Sequence, residues 1–401
     1  MSTQTSAEQA TEKPIPPRKL ALDFRQYGIL AALVAIIVLF QVLTGGRLLM
    51  PGNVNNLIQQ NSYVLILAIG MVMVIIAGHI DLSVGSVVAM VGAVAALAIN
   101  DWHLPWWLAV LVALLAGALV GAWQGFWVAY VEIPAFIVTL AGMLLFRGLT
   151  LIFLHGGTIG GLPSEFVAIG AGWLPSWLGT VGKTDVLTIV LGVIACVALA
   201  VLQVGARSGR RALDLPVEGA ASFWGKIAVA VVAILAVCWQ LANYSGTPII
   251  LIILAVLIVA YSFLLNRSVF GRHVYAMGGN LFAAVMSGVK TRRVNFALFV
   301  NIGMLAALAG VVSTSRAGSA VASAGQNYEL DAIAAVFIGG AAVQGGVGTV
   351  TGAVIGGLVM GVLNMGLSIL SVDAAWQMAI KGLVLLLAVA FDLTNKRRGG
   401  R

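Results

Sequence analysis

Few residues in this 401-residue chain are placed to do bond-making chemistry. No Gly-x-x-x-x-Gly-Lys-Ser/Thr phosphate loop occurs, so ATP is not bound by that motif. His79, His103, His155 and His273 fall in different segments, and nothing has metal-ligand spacing. Cys196 and Cys238 sit inside apolar runs and read as small buried residues, not as a disulfide or metal framework. No nucleophile stands beside a base. A catalytic centre, a metal and an organic cofactor are therefore all unexpected. What remains is a set of polar and ionised residues within or at the ends of long apolar runs: Asp81, Ser83, Ser86, Arg147, Asn327, Glu329, Asp331, Asn364 and Gln377.

In a bilayer such residues are costly. An ionised group at its centre costs at least ~2.5–3.5 kcal/mol, so it faces a protein interior or water. All nine are candidates for lining or gating a pathway. Each also has a structural alternative. Asp81 can cap the helix that follows it, since Asp accepts from backbone N–H groups at the positive helix end. Glu329 and Asp331 are two residues apart and share no helical face. One is expected to cap and the other to pair, with Arg316 or Arg147 as partner. For Arg147 an ion pair comes first and pathway lining second. Asn295, Asn301, Gln344, Asn364 and Gln377 have interhelical hydrogen bonding as their default role, worth about 0.6–2 kcal/mol each.

The elements that hold these residues are membrane helices. Hydrophobic residues make up 61% of the chain and charged residues 9%, against about 25% charged in soluble domains. Apolar runs long enough for a ~30 Å hydrocarbon core recur throughout, and in lipid such runs must be helical. Forty-eight glycines fit close helix packing. The runs cover residues 28–44, 63–79, 82–99, 106–130, 135–154, 185–204, 226–243, 247–265, 294–315, 331–344, 348–370 and 374–392. The expected fold is an all-α polytopic membrane protein with about twelve spans, or roughly ten if two do not cross. Gly339-Gly340 and Gly345-Gly346 predict that the tenth and eleventh spans are broken or re-entrant.

The net charge of +8 sits in short loops, which argues for topology and against nucleic acid. Basic residues cluster in four places: the N-terminal tail, 207–226, 267–293 and 396–401. Even numbers of spans separate these clusters, so all four can be cytoplasmic together, with both termini inside. Residues 1–25 read as a disordered cytoplasmic tail, 26–395 as the membrane domain and 396–401 as a basic cytoplasmic tail. The opposite loops are Trp-rich, as in Asp101–Trp107 and Trp173–Trp177, which fits an interfacial belt. The long loop from His155 to Asp185 has room for a short surface helix.

The loop 266–293 has five basic residues and no acidic one. Within it, the apolar stretch from Leu281 to Met286 is bounded by helix-stop and helix-start residues. It suits a short helix lying either on a soluble partner or on the membrane surface. The stretch from Gly271 through Asn280 to Val289 resembles the coupling loop of ribose- and xylose-type sugar permeases of ATP-binding-cassette importers. Three other stretches resemble the same family: Gly78–Ser86, Pro134–Leu140 with Phe146–Leu149, and Tyr328–Gly340 with Gly345–Thr349. The resemblance covers residues 45–205 and 246–395.

The resemblance implies a multi-pass permease subunit of the bacterial inner membrane, a homodimer in membrane lipid with no ATPase of its own. Its partners would be a separate ATPase subunit, a periplasmic binding protein and a monosaccharide. Gly271, Arg272, Tyr275, Gly278, Gly279, Asn280, Ala283, Ser287 and Gly288 would form the ATPase coupling loop. Two departures matter. Shorter ribose-type members carry an acidic residue after the loop asparagine, where this chain has Leu281, and they lack the stretch Gly205–Ser245. The added stretch resembles the longer, xylose-type branch and is the reason to put D-xylose first. Two other readings stay open: an ion-coupled secondary transporter using Asp81 or Glu329, and a non-transporting membrane scaffold.

Overall fold

The computed structural model describes residues 24–399. The expected tail of residues 1–25 lies outside these but for its last two residues, as do Gly400 and Arg401 of the basic tail. The described residues form fifteen helices. The first five are α1 (Phe24–Leu43), α2 (Pro51–Ile76), α3 (Val84–Asn100), α4 (Trp106–Ala129) and α5 (Ala135–Phe153). Then come α6 (Ser164–Ala171), α7 (Val186–Ala212), α8 (Ala220–Ala242), α9 (Ile249–Arg267), α10 (Val269–Gly279) and α11 (Leu281–Met286). The last four are α12 (Thr291–Ala317), α13 (Tyr328–Ile338), α14 (Val350–Ile369) and α15 (Ala374–Gly399). Each apolar run read from the sequence carries one helix. Among the described residues, eight helices are long and apolar enough to cross a membrane, and α1, α3 and α15 contribute shorter apolar stretches.

The tenth run is the broken one. α13 has 11 residues, which at 1.5 Å per residue reach about half of a ~30 Å core. The chain completes the distance as the glycine-rich segment Gly339–Thr349. The eleventh run is not broken. α14 is continuous, and Thr349 caps it by accepting from the Gly352 N–H at 3.0 Å. The glycine pairs precede that helix and do not interrupt it. α6 differs in part from expectation. It occupies the expected loop with Ser164 and Glu165 exposed, but its other face is packed inward: Phe166 is fully buried, and a side chain at Gly170 would meet the backbone of α12.

The centre of the bundle is α2 and α12, with α3, α4 and α14 around them. Little hydrophobic force draws helices together in lipid, so contact must come from close packing. α4 and α12 cross at backbone contact. A Cβ on Gly303 would collide with the Gly117 carbonyl oxygen, and one on Gly121 with that of Phe299. α7 and α8 lie at the periphery with most of their apolar side chains exposed.

One end of the bundle is tied by side-chain-to-loop bonds. Gln59 Nε2 donates to the Ala171 carbonyl at 3.1 Å, Trp173 Nε1 to Asn55 Oδ1 at 2.9 Å, and Asn100 Nδ2 to the Gly160 carbonyl at 2.8 Å. Thr158–Ile159 pairs antiparallel with Ala320–Val321 at the same end. α10 and α11 lie at the other end. Two substitutions separate crossing from surface. Gly303→Leu is expected to abolish the monodisperse, membrane-extracted peak in size-exclusion chromatography. Gly148→Leu, with nothing within 4 Å of the added Cβ, is expected to leave that peak unchanged.

Candidate functional site

A polar cavity of about 240 Å³ opens among α2, α12, α13, α14 and α15. Its centre is a pair of tyrosines. Tyr63 on α2 and Tyr328 at the start of α13 stack with ring centroids 3.5 Å apart and planes 15° off parallel. The Tyr63 hydroxyl donates to Asp331 Oδ2 at 2.9 Å. Lys381 on α15 reaches the same carboxylate, with Nζ 3.2 Å from Oδ1. Asp331 is buried, while Lys381 keeps its head on the cavity wall. Amides, serines and Arg316 complete the lining. Asn364 Nδ2 donates to Asn61 Oδ1 at 3.3 Å, and Asn364 Oδ1 is buried with no partner among the described residues. Gln59 and Gln377 also line the cavity.

The expected pathway residues divide between this cavity and other places. Asn364 and Gln377 line it, and Asp331 stands behind it holding Tyr63 and Lys381. Asp331 therefore does not pair with Arg316 or Arg147, as the sequence suggested. Lys381 was the missed partner. It is the one basic residue within the run 374–392, and a lone lysine in an apolar run was the signal that could have found it. Tyr63, Tyr328 and Asn61 carried no such signal. Among the described residues Arg147 is within salt-bridge distance of no carboxylate; its Nη1 donates to the carbonyls of Ala322 and Ala324 at 3.1 and 2.6 Å. Glu329 points away from the cavity, against Gly85 at the start of α3. Asn327 stands before α13 with φ +64° and sets Nδ2 3.5 Å from Met378 Sδ.

Asp81, Ser83 and Ser86 form a separate, fully buried knot. Asp81 Oδ1 accepts from the Ser83 N–H at 2.8 Å and from Ser83 Oγ at 2.6 Å. Gln124 Nε2 donates to Ser83 Oγ at 2.6 Å, and Ser86 Oγ donates to the Ser83 carbonyl at 2.8 Å. Asp81 thus braces the turn before α3 and is not its cap. The N-cap position belongs to Ser83.

The expected coupling residues form a rigid elbow. Ser268 caps α10 by accepting from the Gly271 N–H at 3.0 Å. Asn280 ends α10 and starts α11, its N–H donating to the Ala276 carbonyl and its Oδ1 accepting from the Ala283 N–H at 2.9 Å. Ser287 follows the last residue of α11, and Gly288 turns the chain with φ +82°. The Tyr275 hydroxyl donates to the Gly348 carbonyl at 2.7 Å. Gly278 lies directly on the carbonyl of Ile76, the last residue of α2, with no room for a Cβ, whereas Gly279 has open space around it. Arg272 is exposed on the outer face of α10. α11 presents Leu281, Phe282, Val285 and Met286 outward, with Phe282 73% exposed. An apolar face of this kind at the end of a bundle marks an interaction surface.

A family profile described as the permease component of a branched-chain amino acid transport system matches residues 53–389. The chain belongs to this permease family. The permease is 40% identical to a xylose transport system permease protein of Haemophilus influenzae, over 94% of this chain and 98% of that protein. It is 40% identical to the xylose transport system permease protein of Escherichia coli K12, over 94% of each chain. It is 35% identical to a ribose import permease protein of Bacillus subtilis, over 89% of each. No solved structure gives a significant match. With its apolar helices, membership makes the permease a multi-pass protein of the inner membrane.

The Asp331–Lys381 pair can be tested directly. Lys381→Met strands a buried carboxylate, and breaking such a pair costs about 3–5 kcal/mol. A marked fall in the unfolding temperature of the detergent-solubilised permease is expected. The double variant Lys381→Met/Asp331→Asn is expected to regain most of it.

Proposed function

We propose that this permease is the membrane subunit of an ATP-binding-cassette importer that brings a monosaccharide, D-xylose first, into the cytoplasm. The observation that carries the reading is the elbow: two helices fixed through Asn280, braced on the end of α2, with an apolar face turned outward. That face suits docking into a cleft on a separate ATPase subunit. The basic last turn of α7 and the Arg292-Arg293 start of α12 support a cytoplasmic placement of this end, and with it of both termini. The opposite end, with its exposed Trp102, Trp106 and Trp177, receives a sugar-loaded periplasmic binding protein. The permease works as a homodimer, as the family resemblance implies.

Sugar specificity comes from the named relatives and from the cavity's chemistry. The family description names an amino acid system, so membership alone leaves the cargo open. A sugar hydroxyl both donates and accepts. Asn61, Asn364, Gln59 and Gln377 offer both functions, and the tyrosine stack offers an aromatic wall. Among the described residues the charged groups of the lining are Arg316 and Lys381, and Lys381 is engaged by Asp331 behind the wall. Arg147, Asn327 and Glu329 hold the segment 318–327 at the outer mouth and serve as its gate. Asp81, Ser83 and Ser86 set the start of α3 against the pathway. ATP binding on the partner moves the elbow as a body, α2 follows, and the cavity changes the side to which it opens. An ion-coupled carrier needs a carboxylate free to titrate. Of the two carboxylates that reading would use, Asp81 is knotted to Ser83, and Glu329 lies against Gly85 outside the cavity lining.

Mild-detergent purification of the tagged chain from its host, followed by mass spectrometry, is expected to recover an ATPase with a phosphate-loop motif. A preparation free of such a subunit across several detergents counts against the proposal. Gly279→Phe has room to fold and is expected to eliminate ATP-driven xylose uptake while membrane levels persist. Tyr328→Ala is expected to lower uptake about tenfold, the equivalent of ~1.4 kcal/mol and within the range for an aromatic pair. Unchanged uptake in Gly279→Phe removes the coupling role from the elbow.

A further inference from the structure

The hairpin of α7 and α8 takes no part in the cavity or the elbow, yet it carries a well-formed site of its own. α7 has 27 residues and is about 40 Å long, so its last turns extend past a ~30 Å hydrocarbon core. Along the hairpin, Val193, Val197, Val201, Val229 and Val232 are exposed, as suits a surface in contact with lipid. Where it leaves the membrane, a groove of about 310 Å³ opens between the two helices. Leu199, Ile227 and Ala230 form its apolar part, and Arg207, Arg210, Lys226 and Glu218 its polar part.

The arrangement of Arg207 sets this groove apart from an ordinary basic loop. A charge that serves topology needs only to stay in water. Arg207 is instead held in place: its guanidinium carbon lies 4.4 Å over the Phe223 ring, and Nη2 donates to the Glu218 carbonyl at 3.0 Å. This leaves Nε buried with no partner among the described residues. A buried guanidinium N–H without an acceptor is costly. The Glu218 carboxylate is engaged by Lys226, and Arg210 adds a second fork at the mouth. Three basic side chains against one carboxylate favour an anion, and arginine forks match the geometry of phosphate oxygens.

We propose that this groove binds an anionic phospholipid, its phosphate on Arg207 and Arg210 and an acyl chain along Leu199, Ile227 and Ala230. Basic pockets between membrane helices at the membrane surface recognise such headgroups. The apolar part of the groove distinguishes a lipid from free phosphate, which would use only the mouth. A zwitterionic headgroup would bring its ammonium against the same arginines. The position at a membrane surface follows from the length of α7. Only the choice of leaflet depends on the orientation proposed above.

Native mass spectrometry of the full chain, delipidated and offered equal phosphatidylglycerol and phosphatidylethanolamine, tests the site. The permease is expected to retain phosphatidylglycerol severalfold over phosphatidylethanolamine. R207Q/R210Q is expected to lose that preference, and R292Q/R293Q, basic residues elsewhere, to keep it. Glycerol 3-phosphate, the soluble headgroup alone, is expected not to displace the lipid. If the double variant does not fold, R210Q is read instead, since that side chain makes no hydrogen bond among the described residues, and a weakened preference is expected. Equal retention of the two lipids by the unaltered chain overturns the proposal. So does an undiminished preference in R207Q/R210Q, or in R210Q where that is the variant read. Displacement by glycerol 3-phosphate would reduce the groove to a phosphate site and overturn the lipid assignment.

Discussion

The last carbonyls of a helix have no partner within it, and in an apolar setting an unpartnered carbonyl is costly. At the end of α2 this need is met by distant parts of the chain. The Gly346 N–H donates to the Ile76 carbonyl at 2.8 Å. Gly278, at the end of α10, packs over the same oxygen and must lack a side chain to do so. One peptide group thus joins three segments: the central helix, the coupling elbow, and the glycine-rich return that precedes α14. α2 is 26 residues long, about 39 Å at 1.5 Å per residue. Its opposite half carries Gln59, Asn61 and Tyr63 on the cavity wall. Under the proposed mechanism a displacement of the elbow would reach the cavity through this one, largely buried helix.

Around that rod the packing divides into a fixed part and an adjustable part. α12 crosses α4 through glycines at backbone contact, a geometry with little freedom. α13 is half a helix, ended by Gly339 and followed by an irregular segment within the protein. Irregular backbone at membrane depth is tolerated where protein or water surrounds it. Tyr328 and Asp331 both stand on this short helix, so the tyrosine stack and the Lys381 contact change together if it shifts.

The membrane helices were legible because lipid imposes length and apolarity on every span, and each run from 28–44 to 374–392 carries a helix. The elbow was legible too: Gly278-Gly279-Asn280 before a six-residue apolar stretch marks a stop and a start, and Asn280 makes both. Less could be read where meaning depends on distant partners. Glu329 and Asp331 look alike in sequence, yet one is pressed on Gly85 and the other holds Lys381 on a different helix. Tyr63 and Tyr328 are ordinary in their runs and become a site only through stacking. The glycines before α14 mark the end of the half-helix α13, as expected, but their return to Ile76 could not be read locally.

Reconstitution of the permease in proteoliposomes with its ATPase and binding protein gives the most direct measurement. Labelled xylose uptake would be followed with and without ATP, and with and without ionophores that collapse ion gradients. Uptake that requires ATP and ignores the ionophores is the predicted result. Uptake that proceeds without ATP and stops when the gradient collapses would contradict transport driven through the elbow and α2.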